Sequence, residues 1–280
     1  MPHARINDQN IYFEDTGGHP SGPSGQLPTE WGARMPMVFS HGLLMDHEMF
    51  APQVEAFRSQ HRVVTWDERC HGKTETTSDP FTYWDSAEDL NGLLSHLGIE
   101  RAIVGGMSQG GFLSLRFALR HPEKVAGLIL IDTQAGVEDP DKAGTYEVML
   151  EVWEADGLTD QMAETVAAII LGNEWPGRGP WIEKWHSAPR NLMRPAFKTL
   201  VGREDIHDRL GEIKVPSLVI HGTADTAIDM ELAQRLCSEL ADCRRLVPVE
   251  GAGHAANLTH PEPVNEAIKQ FVTELVPAAG

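Results

Sequence analysis

A serine between two glycines, placed between a predicted strand and a predicted helix, constrains this chain more than any other feature. Residues 106–110 read Gly-Met-Ser-Gln-Gly and fit the pattern G-x-S-x-G around Ser108. The apolar run at 101–105 predicts a buried strand, and residues 111–119 carry apolar side chains at helical spacing. A sharp strand-to-helix turn lifts a serine hydroxyl clear of the sheet, and glycines permit the close backbone approach. The pattern predicts a nucleophile at Ser108; the alternative is an ordinary glycine-rich turn.

The other apolar segments alternate between strand and helix patterns. Residues 5–15 predict a β-hairpin with 7–10 as its turn, and residues 17–36 read as a loop rich in Gly, Pro and Ser. Further strands are predicted at 37–40, 62–66, 125–131, 217–220 and 244–249, and helices at 47–59, 84–97, 229–241 and 261–276. Nearly all-apolar strands that alternate with helices predict an α/β fold, with a mainly parallel sheet of eight strands and helices on both faces.

Residues 136–205 interrupt this alternation. Helical patterns at 144–156 and 159–171 follow one another without a strand between them. We therefore predict a helical cap at 136–205, inserted into a core domain formed by residues 1–135 and 206–280.

The predicted cap is rich in large apolar side chains, with four of the seven tryptophans of the chain. Trp153 and Trp185, together with Met107 beside the serine, are predicted to contact a bulky apolar substrate. The alternative is that such residues pack the cap onto the core. Three cap arginines are candidates for binding a substrate carboxylate, although exposed surface residues are the simpler interpretation: Arg178, Arg190 and Arg194.

A serine hydroxyl needs a base, and the base needs an orienting carboxylate, so the order Ser, acid, His is expected along the chain. His254 follows the last predicted strand in the sequence Gly-Ala-Gly-His and is the predicted base. Asp225 follows the preceding strand and is the predicted acid. Asp132, directly after the strand at 125–131, is a competing candidate for the acid.

Two backbone N–H groups are expected to stabilise the oxyanion that forms when the serine attacks. One belongs to Gln109, the residue after the nucleophile, and the other is assigned to Leu43, in the loop after the strand at 37–40. His41, in the same loop, is interpreted as a residue that shapes the loop through hydrogen bonds.

Composition excludes several classes of partner. The net charge of −18 argues against binding of nucleic acid or anionic membranes, which need a positive surface. The three cysteines (Cys70, Cys237, Cys243) form no recognisable paired framework, which suggests a reducing compartment. No signal peptide and no membrane-length apolar run are seen. We expect a cytoplasmic protein that acts on a small molecule; the sequence does not indicate an oligomeric state.

Five motifs, in order and at consistent spacing, carry a family resemblance. They are His-Gly at 41–42, Asp-Glu-Arg-Cys-His-Gly at 67–72, the serine motif, His-Gly-Thr-Ala-Asp at 221–225 and Gly-Ala-Gly-His at 251–254. Over nearly its whole length the chain resembles the α/β-hydrolase superfamily, and within it the capped enol-lactonases, carboxylesterases and cofactor-free haloperoxidases. It departs from them at Cys70, where these relatives usually have Gly.

The resemblance implies a serine hydrolase that cleaves an ester or a lactone through an acyl-enzyme on Ser108, without a metal or a cofactor. The same triad also supports perhydrolysis and carbon–carbon bond hydrolysis. A non-catalytic small-molecule receptor is a third alternative. Dehalogenases and epoxide hydrolases of this fold place Asp at the nucleophile position, so their chemistry is not expected here.

Overall fold

The computed structural model describes residues 2–17, 35–74, 79–188 and 193–275 of the chain. In this part the strands are β1 (His3–Ile6), β2 (Gln9–Asp15), β3 (Met37–Ser40), β4 (Val63–Trp66), β5 (Ala102–Met107), β6 (Val125–Ile131), β7 (Ser217–Gly222) and β8 (Cys243–Val249). They form one sheet in the order β1-β2-β4-β3-β5-β6-β7-β8. β2 is antiparallel to β1 and β4, and the strands from β3 to β8 pair in parallel. The predicted fold class is confirmed.

The central strands are buried on both faces. Every residue of β6 is buried, and its side chains alternate between two apolar clusters: Leu128 and Leu130 in one, Ile129 and Ile131 in the other. Because neighbouring residues of a strand point to opposite faces, each face needs its own cover.

Helices supply that cover. They are α1 (Ala51–Phe57), α2 (Tyr83–His96), α3 (Gln109–Arg120), α4 (Pro140–Asp156), α5 (Asp160–Leu171), α6 (Arg178–Ser187), α7 (Arg194–Val201), α8 (Met230–Glu239), α9 (Ala256–Thr259) and α10 (Pro261–Leu275), with short 3₁₀ turns at His47–Phe50, Pro122–Lys124 and His207–Glu212. Side chains of α1 and α10 join one cluster, and those of α2, α3 and α8 join the other.

Two element boundaries differ from the sequence prediction for local reasons. α4 begins at Pro140, before the predicted start at 144, because the Asp139 carboxylate accepts the first free N–H groups and Pro140 suits the first helical position. The predicted hairpin is present, but its turn is only Asn7-Asp8, both in the left-handed region with φ of 45° and 64°. Most of the loop predicted at 17–36 lies outside the described residues.

Helices α4 to α7, called the inserted helices below, lie between β6 and β7, and no strand occurs among their described residues. Most of their buried apolar side chains join the same cluster as α1 and α10, and Leu200 of α7 joins the other cluster. No helix in the described part of the chain is both long and apolar enough to cross a membrane.

The cysteines correct one prediction. Cys237, near the end of α8, and Cys243, at the start of β8, form a disulfide with an S–S distance of 1.92 Å. Their spacing resembles no common motif, and only the turn that brings α8 back to β8 places the two sulfurs together. The expectation of a reducing compartment rested on unpaired cysteines and so loses its basis.

The crossing of β5 and α3 depends on two glycines. A Cβ on Gly106 would lie 2.1 Å from the backbone of Gly110, and a Cβ on Gly110 would lie 2.0 Å from the carbonyl oxygen of Ser40. Backbone cannot yield as a flexible side chain does. Helix α3 can therefore pack this closely against β5 only with glycine at 106, and against the end of β3 only with glycine at 110.

We predict that Gly110→Ala lowers the free energy of unfolding by about 3 kcal/mol or more, because backbone overlap cannot relax locally. Chemical denaturation measures the change. Gly179→Ala is the matched control, since a Cβ there meets nothing within 4 Å. A Gly110→Ala protein with wild-type stability would contradict the close approach of α3 to the end of β3.

Candidate active site

Ser108 stands at the turn between β5 and α3 in a strained backbone conformation. Its φ is 51° and its ψ is −115°, outside the regions that residues with a side chain prefer. Hydrogen bonds hold it there: its N–H donates to the carbonyl of Ile131 at 2.9 Å, and its own carbonyl accepts the Thr133 hydroxyl at 2.8 Å. The residue is anchored to β6 on one side and begins α3 on the other.

A continuous hydrogen-bond chain joins the three residues predicted as nucleophile, base and acid. The Ser108 hydroxyl lies 3.0 Å from Nε2 of His254, and Nδ1 of His254 lies 2.8 Å from Oδ2 of Asp225. A carboxylate only accepts hydrogen bonds, so Nδ1 carries the proton and Nε2 is the acceptor for the serine hydroxyl. The three side chains come from the ends of β5, β7 and β8.

Charge stabilises this arrangement. Burial favours the neutral form of His254, but attraction to Asp225 and the hydrogen bond between them outweigh it, so the pKa of His254 is raised. For Asp225, burial opposes ionisation, yet the same partner and the backbone N–H of Ile228 lower its pKa. Asp225 is therefore ionised, and His254 is more basic than an ordinary histidine.

Asp132, the competing acid, is fully buried and is used differently. Its Oδ1 accepts the N–H of Gly222 at 2.8 Å, and its Oδ2 accepts the N–H of Ala256 at 3.0 Å. Those two amides belong to the end of β7 and to the segment after His254. Burial and the charge of Asp225 raise the pKa of Asp132 to about 8. Asp132 thus ties together the two segments that carry Asp225 and His254, while Nδ1 of His254 pairs with Asp225.

The loop after β3 lies against Ser108. A Cβ on Gly42 would come 2.5 Å from the sulfur of Met107 and 3.6 Å from Cβ of Ser108, so the loop backbone passes directly over the serine. Among the described residues, the backbone N–H groups of Leu43 and Gln109 have no hydrogen-bond acceptor. The two amides predicted as oxyanion donors thus sit beside Ser108 and are available.

Two buried histidines hold this loop. Nε2 of His41 accepts the N–H of Glu68 at 3.0 Å, and Nε2 of His71 accepts the N–H of Leu44 at 3.3 Å. Burial lowers the pKa of His41 to about 4 and that of His71 to about 3, so both rings are neutral and can accept. The loop-shaping role predicted for His41 agrees with these bonds.

Cys70 lies in the loop that His41 and His71 contact. It is buried and has a φ of 67°, in the left-handed region where glycine is the usual residue. The departure from the family pattern therefore keeps the backbone conformation of the loop, at a cost in strain.

Gln109 is held by its side chain. Its Nε2 donates to Oε1 of Glu68 at 3.2 Å, inside the protein. Burial raises the pKa of Glu68 to about 8, and the charge of Asp89 adds to the effect. A protein-internal contact thus fixes the residue that directly follows the predicted nucleophile and is predicted to supply an oxyanion donor.

A cavity of about 700 Å³ opens above Ser108 and His254. Its wall is largely apolar, with Met107 and Phe112 from the core and side chains from α4, α5 and α7. Among the residues of the inserted helices that line it are two methionines, Met149 and Met162. A volume of this size suits a small organic molecule.

The two tryptophans predicted to contact substrate do not line this cavity. Trp153 is buried in the apolar cluster, and the indole N–H of Trp185 donates to the carbonyl of Leu44 at 2.7 Å. Trp185 thus packs the inserted helices onto the core, and Trp153 packs inside the apolar cluster, which corrects the prediction that both contact substrate. Residue type alone does not say which face of a helix points to the cavity.

Aromatic wall residues that the sequence analysis did not single out are Phe112, Tyr146 and Phe197. Phe112 lies one helical turn after Ser108 on α3, a spacing that could have identified it. Tyr146 and Phe197 had no such signal, because only the packing of α4 and α7 turns them towards the cavity.

The predicted arginine candidates are engaged elsewhere. Arg178 pairs with Glu164, and Arg194 pairs with Glu154, in both cases on the inserted helices and away from the cavity wall. Arg190 lies outside the described residues. Structural pairing is therefore the better account of Arg178 and Arg194.

Two groups of carboxylates and histidines in the described residues come close enough to hold a metal ion. They are Asp46, His47 and Asp67, and Asp132, His221 and Asp225. In each group a carboxylate already accepts protein hydrogen bonds: Asp67 from the amides of His47 and Lys73, and Asp132 from two amides. In both groups, therefore, a carboxylate holds a loop by accepting hydrogen bonds from its backbone. The expectation of a reaction without a metal or a cofactor stays a prediction.

Two proteins are similar in sequence to this chain over most of their length. The 3-oxoadipate enol-lactonase 1 of Acinetobacter baylyi is 27% identical over 256 residues, covering 85% of this chain and 89% of that protein. The putative carbamate hydrolase RutD of Azorhizobium caulinodans is 24% identical over 281 residues, covering 98% and 99%.

Solved structures give the same result at the level of the fold. A thermophilic esterase from Thermogutta terrifontis matches with a TM-score of 0.84 at 24% identity, covering 98% of both chains. The enol-lactonase from Burkholderia xenovorans LB400 matches with a TM-score of 0.83 at 24% identity, covering 97% of this chain and all of the other. The family model for the alpha/beta hydrolase fold matches residues 35–261. The chain belongs to the alpha/beta hydrolase fold family, as its motifs predicted.

Proposed function

We propose that this protein is a serine hydrolase that cleaves an ester or a lactone of a bulky apolar small molecule. The observation that carries the proposal is the hydrogen-bond chain from Ser108 through His254 to Asp225 at the base of an apolar cavity. Relatives named as an enol-lactonase and an esterase support the same class of reaction.

The first half of the reaction is transfer of the acyl group to the enzyme. Ser108 Oγ attacks the substrate carbonyl while His254 Nε2 takes the hydroxyl proton. Asp225 holds the imidazole in the tautomer that accepts at Nε2 and stabilises the imidazolium that forms. His254 then gives its proton to the leaving alkoxide, and Ser108 carries the acyl group.

The oxyanion of each tetrahedral intermediate is held by the N–H groups of Leu43 and Gln109. Neither amide needs to break a protein hydrogen bond, and both loops are fixed by buried contacts, so little reorganisation is required. In the second half, water attacks the acyl group while His254 accepts a proton from it. His254 then gives that proton to Ser108 Oγ as the bond to the acyl group breaks, so the acid product leaves and the serine hydroxyl is restored.

The inserted helices act as a cap that selects for apolar groups. Met149, Met162 and Phe197 present adaptable or aromatic surface above the serine. Val148 and Ile169 also line the cavity and are 62% and 40% exposed. An apolar substrate would therefore cover apolar surface that otherwise faces water.

We expect Ser108→Ala to lower kcat/KM on p-nitrophenyl esters and lactones by about a thousandfold or more, because the covalent step is lost. Steady-state hydrolysis across acyl chains and ring sizes measures the effect and ranks substrates. Ser114→Ala is the matched control: this serine is buried on the same helix and donates to the Gly110 carbonyl at 2.6 Å, away from the cavity.

Equal turnover by Ser108→Ala and wild type would contradict the proposed mechanism. Absence of turnover on every ester and lactone, together with tight binding of a small ligand, would favour the alternative that the protein is a non-catalytic small-molecule receptor. Addition of hydrogen peroxide to the same assays tests perhydrolysis.

A pair of variants distinguishes the two candidate acids. Asp225→Asn places an amide opposite Nδ1 of His254, which disfavours the productive tautomer, and we expect kcat to fall by about 10⁴-fold. Asp132→Asn leaves that contact intact but turns an NH₂ group towards a backbone N–H. We expect it to lower the free energy of unfolding by about 1–3 kcal/mol with a much smaller loss of kcat. A larger loss of kcat in Asp132→Asn would assign the acid role to Asp132.

The pH dependence of kcat/KM follows from the base. His254 must be neutral to accept a proton, and its pKa is raised above the ordinary value of 6.5. Activity should therefore fall as the pH decreases through a midpoint above 6.5, and Asp225→Asn should move that midpoint down. Glu212→Gln, which removes an exposed carboxylate paired with Arg209, is the control and should leave the midpoint in place. A midpoint below 6.5 in the wild type would contradict the attraction between Asp225 and His254.

A further inference from the structure

The charged side chains on the cavity wall are unevenly distributed. Among the described residues that line the cavity, Glu138 and Asp141 are carboxylates, and none is a lysine or an arginine. Both carboxylates lie near the start of α4, on the side of the cavity that the inserted helices form. A substrate that carries a carboxylate besides its reacting carbonyl would bring like charges together there.

Glu138 is also one half of a buried ion pair. Its Oε2 lies 2.9 Å from Nη1 of Arg203, and the two side chains are only 10% and 1% exposed. Arg203 donates as well to the carbonyls of Gly136 and Leu200, at 2.9 and 2.8 Å. Its guanidinium lies 4.4 Å from the ring centroid of Phe112, which lines the cavity. Arg203 is therefore a cation directly behind the wall, and Glu138 neutralises it.

The pair leaves one donor unused. Nη2 of Arg203 is buried and has no hydrogen-bond partner among the described residues. Such a group favours binding of a further oxygen anion, and bidentate pairing of arginine with carboxylate is strong. With Glu138 in place, an incoming carboxylate meets a guanidinium that is already paired.

A second cation near the cavity wall, Lys142, donates a hydrogen bond to a backbone carbonyl oxygen. Lys142 Nζ donates to the carbonyl of Ala227 at 2.7 Å, and Ala227 lines the cavity. Neither cation is among the described residues that line the cavity, which include the two carboxylates. Glu138 neutralises Arg203, whereas the Lys142 ammonium is bound to a neutral carbonyl, and its charge opposes protonation of His254. The net charge of −18 of the whole chain acts in the same direction as the two carboxylates on an approaching anion.

We propose that Glu138 is a specificity-determining residue that makes the site select uncharged esters or lactones over those that carry a second, ionised carboxylate. This inference rests on the proposed function, because it concerns the substrate class of the same cavity. Glu138 acts in two ways: it repels the anion, and it occupies the guanidinium that would otherwise bind it.

The test compares two esters that differ in one group, p-nitrophenyl hexanoate and mono-p-nitrophenyl adipate, in which a carboxylate replaces the terminal methyl. We expect wild-type kcat/KM to favour the uncharged ester by about 100-fold or more, and Glu138→Gln to reduce that ratio by about tenfold or more. The ratio should fall mainly because kcat/KM for the charged ester rises, while kcat/KM for the uncharged ester changes little. Glu151→Gln, an exposed residue of α4 outside the cavity wall, removes the same charge and should leave the ratio unchanged.

Glu138→Gln leaves Arg203 buried without its partner, which destabilises the protein. A second variant therefore tests the same inference without breaking a buried ion pair. Asp141→Asn removes an exposed carboxylate of the wall and should reduce the ratio by a few-fold. Glu138→Gln/Arg203→Met removes both partners, so it should lose the part of the gain on the charged ester that comes from binding to the freed guanidinium and keep the part that comes from lost repulsion.

Comparable wild-type turnover of the two esters, or a ratio unaffected by Glu138→Gln, would overturn the inference. Hydrolysis of the uncharged ester that depends on Ser108 tests the proposed function separately. If neither ester is hydrolysed, calorimetric binding of hexanamide and of adipic acid monoamide to the wild-type protein gives the same comparison. Tighter binding of hexanamide supports the selection, and equal or weaker binding overturns it.

Discussion

The rest of the site depends on the close crossing of β5 and α3 at Ser108. Gly106 lets α3 approach β5, and Gly110 lets α3 approach the end of β3, to distances that any Cβ would block, and the serine backbone takes up the strain of the turn. Its hydrogen bonds to β6 and to the segment after it hold the strained conformation. The hydroxyl therefore has a fixed position before any substrate arrives, which is what pre-organised chemistry requires.

Around that point the protein uses buried polar groups mainly as anchors. His41 and His71 are neutral because burial opposes their charge, and as acceptors they hold the loop that carries Leu43. Asp132 holds two further segments through their amides. Each of these groups is satisfied in one geometry only, so together they keep Asp225 and His254 aligned with Ser108.

In the function proposed here, the inserted helices add selectivity to a centre that the core already forms. Trp185 fastens them to the core and Trp153 is buried in the apolar cluster, while methionines and aromatic rings of these helices form part of the cavity wall. The Glu138–Arg203 pair lies where this segment meets α3 through Phe112. Chemistry and selection would thus come from different parts of the chain that meet over Ser108.

Much of this was available from the amino-acid sequence by itself. Alternating apolar strands and helices determined the fold class, and G-x-S-x-G between a strand and a helix located Ser108, because these patterns reflect local rules of backbone geometry. His254 and Asp225 were located by their order and by their places after strands. The tertiary structure alone decided that Asp132 accepts two backbone amides, that Cys237 meets Cys243, and that Trp153 and Trp185 are buried away from the cavity wall while Tyr146 and Phe197 line it. Those outcomes depend on which distant side chains come into contact and on how each helix is rotated, and neither is encoded in a local pattern.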